Sequence, residues 1–90
     1  MTDLFKEKAK DWDMRDHIKA LSDAIGTTIL DKINFSESMT VMDFGAGTGL
    51  ISSHIVSNVQ KITAVDISKS MLENLSNKPE LQCKVDTVCQ

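Results

Sequence analysis

The chain is predicted to fold as an α/β domain built on a parallel sheet, on three observations. Two short apolar runs, "MTVMDF" at Met39 to Phe44 and "KITAVDI" at Lys61 to Ile67, do not alternate cleanly between apolar and polar residues. Strands covered on both faces, as in parallel sheets, read that way. The segments around these runs carry apolar residues at steps of three or four, the signature of amphipathic helices. The resulting order is helix, strand, helix, strand, helix, strand. Such alternation builds a parallel sheet through right-handed crossovers.

Each element has its own local reason. From Met14 to Ile33 the apolar positions are Met14, Ile18, Leu21, Ile25, Ile29 and Ile33, one face of a long helix. Asp13 is placed to cap it, and Asp16 falls in the first turn, where an anion suits the helix dipole. Gly26 costs this helix about 1 kcal/mol relative to alanine and marks a close packing contact. "NFSES", Asn34 to Ser38, is a loop. After the first strand a helix runs from Thr48 to Ser57, with Ile51, Ile55 and Val59 on one side. Ser68 caps the third helix, Ser70 and Glu73 have capping-box spacing, and Met71, Leu72 and Leu75 form the apolar side. Pro79 ends it. Leu81 to Gln90 is a third strand anchored by Val85 and Val88. The charged stretch with Lys6, Glu7, Lys8, Lys10 and Asp11 is a solvated helix face.

Size and charge narrow the functions. Ninety residues make a single domain with a modest core. A net charge of -3 argues against a large nucleic-acid footprint. No apolar run is long enough to span a bilayer, and "MTDLFKEKAKDWD" lacks the apolar core of a secretion signal. On an extended strand Cys83 and Cys89 lie roughly 20 Å apart, beyond disulfide reach. The expectation is two reduced thiols in a cytoplasmic protein, with no metal site.

The chemistry centres on "VMDFGAGTGL", Val41 to Leu50. Alternate glycines let a strand turn sharply into a helix and let a ligand approach the backbone. Asp66 ends the second strand, and in a βαβ unit both strand ends open into one crevice. A carboxylate there can accept hydrogen bonds from a ribose diol, so the pair reads as a nucleoside site. A dinucleotide fingerprint, G-x-G-x-x-G, fails on spacing: Leu50 stands where a count from Gly45 needs glycine, and Ser52 where a count from Gly47 does. No Gly-Lys-Ser/Thr follows, so a P-loop is absent. What stands is D-x-G-x-G-x-G, opening on Asp43.

"VMDFGAGTGL" followed by "ITAVDISKSML" resembles the N-terminal half of class I S-adenosylmethionine-dependent methyltransferases. "FKEKAKDWD", Phe5 to Asp13, is similar to the leading helix of the small-molecule-type members. The resemblance implies a partial Rossmann-like sheet, the first three βα units in strand order 3-2-1, preceded by N-terminal helices. The helical segment would cover residues 1–35 and the βαβαβ unit residues 39–90. It also implies S-adenosylmethionine as cofactor. Gly45, Ala46, Gly47 and Gly49 would pass beneath its methionine part, and Asp43 would steady the loop or meet the amino group through water. Asp66 would hold the ribose hydroxyls, and Ile67 would flank the adenine. Trp12 would close over the cofactor or, on the simpler reading, anchor the N-terminal helix by packing. The family's acid near the adenine amino group would be Asp86 or a residue beyond Gln90. No catalytic base is assigned, and His17 and His54 are read as structural.

The resemblance further implies about seven strands with the first in the middle, so the 90 residues are expected to be a truncated or partial domain. Left alone, the first strand would expose an apolar edge and invite self-association. The expected function is S-adenosylmethionine-dependent methyl transfer, with a small-molecule acceptor favoured over nucleic acid by the charge. The alternatives are a fragment of a dinucleotide-binding oxidoreductase and a non-catalytic folding or interaction module.

Overall fold

The computed structural model describes residue 3 and residues 5–90; positions 1, 2 and 4 of the expected helical segment lie outside the described residues. Helix α1 is one short turn, Lys6–Ala9, followed by a 3-10 turn at Trp12–Met14. Helix α2 (Asp16–Lys32) precedes strand β1 (Thr40–Phe44), helix α3 (Leu50–Ile55) and a 3-10 turn at Val56–Asn58. Strand β2 (Lys61–Asp66), helix α4 (Lys69–Ser76) and strand β3 (Val85–Cys89) complete the order. The α/β class holds. All pairing is parallel, and β2 lies between β1 and β3, the order 3-2-1 seen from the other side.

Register explains what is covered. Val41, Ile62 and Val85 are neighbours across the three strands, and with Ala64 they face the helices. There they meet the core of Ile55, Val56, Val59, Leu72, Leu75 and Leu81. Strand order 1-2-3 with right-handed crossovers puts α3 and α4 on that same face. The opposite face carries Met42 and Phe44 of β1, which stay 64% and 80% exposed. β1 has a partner on one side only, so the expected apolar edge is present among the described residues.

Two local expectations changed. Asp13 does not cap α2; the cap position belongs to Arg15, with no side-chain cap, because Asp13 is engaged elsewhere. The third strand starts at Val85 rather than Leu81, because Leu81 turns inward and is fully buried in the core. Ser68 caps α4 as expected, its Oγ accepting from Met71 N–H at 3.2 Å. The contact expected at Gly26 is real: a Cβ there would come within 2.4 Å of the His54 ring. His54 points at α2, where its Nε2 meets Asp23 at 3.1 Å, in the structural role read for it.

Candidate cofactor site

The C-terminal ends of the parallel strands form the site. Gly45, Gly47 and Gly49 all have positive φ, at 77°, 58° and 82°, so each conformation is one that side chains resist. The loop is tied back at its start, where Gly45 N–H and Ala46 N–H both donate to Val65 C=O, at 2.8 and 3.0 Å. Asp66 ties its middle: one carboxylate oxygen accepts from Gly47 N–H and the other from Ser68 N–H, each at 2.8 Å. One acid thus links the glycine loop to the turn that starts α4. Asp43 braces the loop from beneath, accepting from Ser52 Oγ at 2.7 Å.

The three glycines divide by function. A Cβ on Gly45 or Gly47 would meet nothing within 4 Å, so their backbone lies bare to open space. A Cβ on Gly49 would come within 2.8 to 2.9 Å of Leu75 and Leu81. Gly49 therefore lets the loop pack on the core, and it faces away from the crevice.

Two hollows meet at this loop. The larger, about 320 Å³, is lined by Gly45, Ala46, Gly47, Thr48 and Asp66 on one side and by Phe5, Trp12 and the α2 residues Ile18, Leu21 and Ile25 on the other. The smaller, about 250 Å³, holds Phe44, Gly45, Asp66, Ile67 and Gln90 and shares Phe5 with the first. Among the described residues lining either hollow, Asp66 is the only charged one. Ile67 is 62% exposed at the rim of the smaller hollow. The structure thus brings together Gly45, Ala46, Gly47, Asp66, Ile67 and Trp12. It leaves Asp43 and Gly49 behind the loop. Asp86 stands on the open sheet face beside Thr63, paired with Lys61 at 2.7 Å, and lines neither hollow.

The N-terminal segment forms the far wall, and the polar contacts of three side chains hold it there. The Asp3 carboxylate accepts from Ser70 N–H at 3.0 Å and from Ser68 Oγ at 2.8 Å, at the start of α4. Asn74 donates its side-chain amide to Ala9 C=O. Asp13 accepts from the Thr48 hydroxyl and pairs with Lys78 at 2.7 Å. Between these contacts, Phe5 and Trp12 pack edge to face with ring centres 6.5 Å apart, and Arg15 lies 5.4 Å over the Trp12 ring. Asp3, Asn74 and the true partners of Asp13 carry no periodicity in the sequence that would reveal them, because each contact joins segments far apart in the chain.

The Ser70 N–H bond, backed by the Ser68 hydroxyl and Phe5 N–H, holds the Asp3 carboxyl at about 2, down from 3.8. A carboxyl depressed on folding stabilises the docked segment above its ordinary value, and that contribution is lost as pH falls towards about 2. Trp12 emission followed from pH 5 downwards is therefore expected to show the wall loosening. Asp3→Asn should remove the Asp3 part of that transition.

The arrangement fits S-adenosylmethionine on the chemistry of its donor set. Each Asp66 oxygen spends one acceptor position on a backbone N–H, leaving capacity for a ribose diol. The bare Gly45–Gly47 backbone allows close approach, and the exposed Ile67 gives the smaller hollow an apolar rim.

The comparisons agree. The family described as ribosomal RNA adenine dimethylase matches residues 21–90. No curated protein matches. Among solved structures, the chain is similar to phosphoethanolamine N-methyltransferase 1 of Haemonchus contortus in complex with phosphoethanolamine and S-adenosylhomocysteine. The TM-score is 0.77 at 16% identity, covering 98% of this chain and 19% of that one. It is similar to DhpI in complex with S-adenosylhomocysteine, at TM-score 0.74 and 21% identity over 96% of this chain and 41% of that one. For coclaurine N-methyltransferase bound to N-methylheliamine and S-adenosylhomocysteine the TM-score is 0.64 at 23% identity, over 77% of this chain and 22% of that one. The chain thus spans less than half the length of each of these structures. S-adenosylmethionine is the cofactor these relationships support, on a Rossmann-like methyltransferase fold. With 70 of its residues (21 to 90) matched, the chain belongs to the ribosomal RNA adenine dimethylase family of S-adenosylmethionine-dependent methyltransferases.

Proposed function

We propose that this chain supplies the cofactor-binding half of an S-adenosylmethionine-dependent methyl transfer. The observation that carries the proposal is the charge pattern of the two hollows: a bare glycine backbone, apolar walls and one carboxylate, Asp66. A pyrophosphate would bring further negative charge beside Asp66 with no lining cation to offset it, whereas a cationic sulfonium and a neutral ribose suit the site. The cofactor, when bound, supplies a methyl already activated on sulfur, so the protein's contribution is alignment and exclusion of water. Gly45, Ala46 and Gly47 form the floor. Asp66 accepts from the ribose hydroxyls while holding Gly47 and Ser68 in place. Ile67 flanks the adenine, and Trp12 with Phe5 closes the far side. Asp43 acts through Ser52 as a brace, and Gly49 through core packing. Thermal unfolding with added ligand tests the reading: S-adenosylhomocysteine is expected to raise Tm and NAD to leave it unchanged. Protection by NAD alone would favour the oxidoreductase reading.

For the acceptor, the net charge of -3 supports a small molecule. The family's description carries the competing reading, an adenine of ribosomal RNA. Retention of labelled ribosomal RNA on a filter at physiological salt, lost with added salt, would favour RNA.

The open edge of β1 supports self-association. Sedimentation at rising concentration is expected to show a dimer, and Met42→Lys should weaken it by placing a charge beside the pairing edge. A monomer throughout would count against it.

A further inference from the structure

We propose that Asp13 is a positioning residue that latches the N-terminal wall to the glycine loop and thereby sets Trp12 against the cofactor hollow. Its two oxygens hold two separate parts of the fold. Oδ1 accepts from the hydroxyl of Thr48, a residue of the glycine loop that is 2% exposed. Oδ2 pairs with Lys78 at 2.7 Å, and both side chains are largely withdrawn from water, at 35% and 18% exposed. Lys78 belongs to the turn after α4, and its N–H donates to the carbonyl of Leu75, the residue that packs on Gly49. One carboxylate therefore joins the N-terminal segment, the glycine loop and the core beneath that loop. Its chain neighbour Trp12 lines the larger hollow together with Gly45 to Thr48.

The chemistry makes the latch selective. The Thr48 hydroxyl, buried and committed to Asp13, is oriented by that acceptor and keeps the loop from relaxing into the hollow. Withdrawal from water strengthens both the ion pair and the hydrogen bond beyond what an exposed pair would give. Loss of the carboxylate leaves a buried hydroxyl and a half-buried ammonium without their acceptor, so the wall and the loop separate. Trp12 then gains freedom without any change in the residues that line the floor.

Trp12 is the only tryptophan, so the latch can be read without ligand. Asp13→Ala is expected to shift its emission to the red and to raise acrylamide quenching at least twofold, with helix content by circular dichroism retained. Asp13→Asn keeps an acceptor for Thr48 and is expected to restore most of the wild-type emission. Thr48→Val should reproduce the Asp13→Ala shift, and the double variant should add little to either. Should Asp13→Ala fail to fold, Lys78→Met removes one arm alone and is expected to give a smaller shift of the same sign. Unchanged emission and quenching in Asp13→Ala, or in Lys78→Met if that is the variant that folds, would overturn the latch, as would fully additive effects of Asp13→Ala and Thr48→Val. The consequence for ligand rests on the cofactor-site reading. S-adenosylhomocysteine affinity should fall about tenfold in Asp13→Ala and recover in Asp13→Asn. Failure of the wild-type chain to bind S-adenosylhomocysteine would reject the site reading and leave the fluorescence test of the latch intact.

Discussion

Asp66→Ala is expected to weaken S-adenosylhomocysteine binding by roughly 100-fold or more, equivalent to about 2.7 kcal/mol, and to lower stability as well. The effect is large because Asp66 does two things at once. It holds Gly47 N–H and Ser68 N–H at 2.8 Å each, and it faces both hollows. Hydrogen bonds to a charged acceptor contribute about 1.5 to 3 kcal/mol each. Water replaces part of that at a half-buried site, so a stability loss of about 2 kcal/mol is expected in urea melts. Asp66→Asn separates the roles. Its amide keeps one acceptor oxygen, so much of the stability should return, while the diol loses a charged acceptor. Calorimetry on the two variants should therefore show a binding defect in both and a stability defect concentrated in the alanine variant.

Gly49→Ala is expected to lower stability by about 2 to 5 kcal/mol. Its φ of 82° costs an alanine about 1 to 2 kcal/mol. The added methyl would press to 2.8 Å from Leu75 and 2.9 Å from Leu81, two of the most buried side chains, and overpacking of that kind costs about 1 to 3 kcal/mol. For a domain whose total stability is on the order of 5 to 13 kcal/mol, that is a serious loss. Gly45→Ala is the control. It carries a similar positive φ of 77° but meets nothing within 4 Å, so only the backbone cost of about 1 to 2 kcal/mol applies. Denaturant melts of the two variants should differ by the packing part, and the Gly45 variant should instead show its defect in ligand binding.

The contrast between these two glycines shows where the sequence was legible. "GAGTG" announces a sharp turn with backbone open to a ligand, and the spacing to Asp66 announces a crevice between two parallel strands. Both are local or βαβ-scale signals, and the structure places Gly45, Gly47 and Asp66 together. Nothing in the spelling distinguishes Gly49, whose surroundings are Leu75 and Leu81 brought back by the α4 crossover. The same limit applied to Asp13. A helix-cap reading is the best local account of an acid before an apolar periodic run. The alternative partners, Thr48 and Lys78, lie far along the chain and won because they offered a buried hydroxyl and a cation together. Asp3 and Asn74 were invisible for the same reason: their contacts span more than 60 residues. The apolar character of β1 was legible, but the cover expected on both of its faces is found on one only: Met42 and Phe44 stand exposed on the open face. Leu81 was read as strand because it is apolar and precedes Val85, but a buried turn residue and a strand residue look alike in one-dimensional pattern.

Titration of the chain with S-adenosylhomocysteine by calorimetry, beside NAD and beside Asp66→Ala, tests the assignment of the hollows most directly. Saturable binding of one S-adenosylhomocysteine per chain is expected, with no heat from NAD and binding reduced about 100-fold in the variant. Saturable binding of NAD without S-adenosylhomocysteine, or an affinity for S-adenosylhomocysteine unchanged by Asp66→Ala, would contradict it.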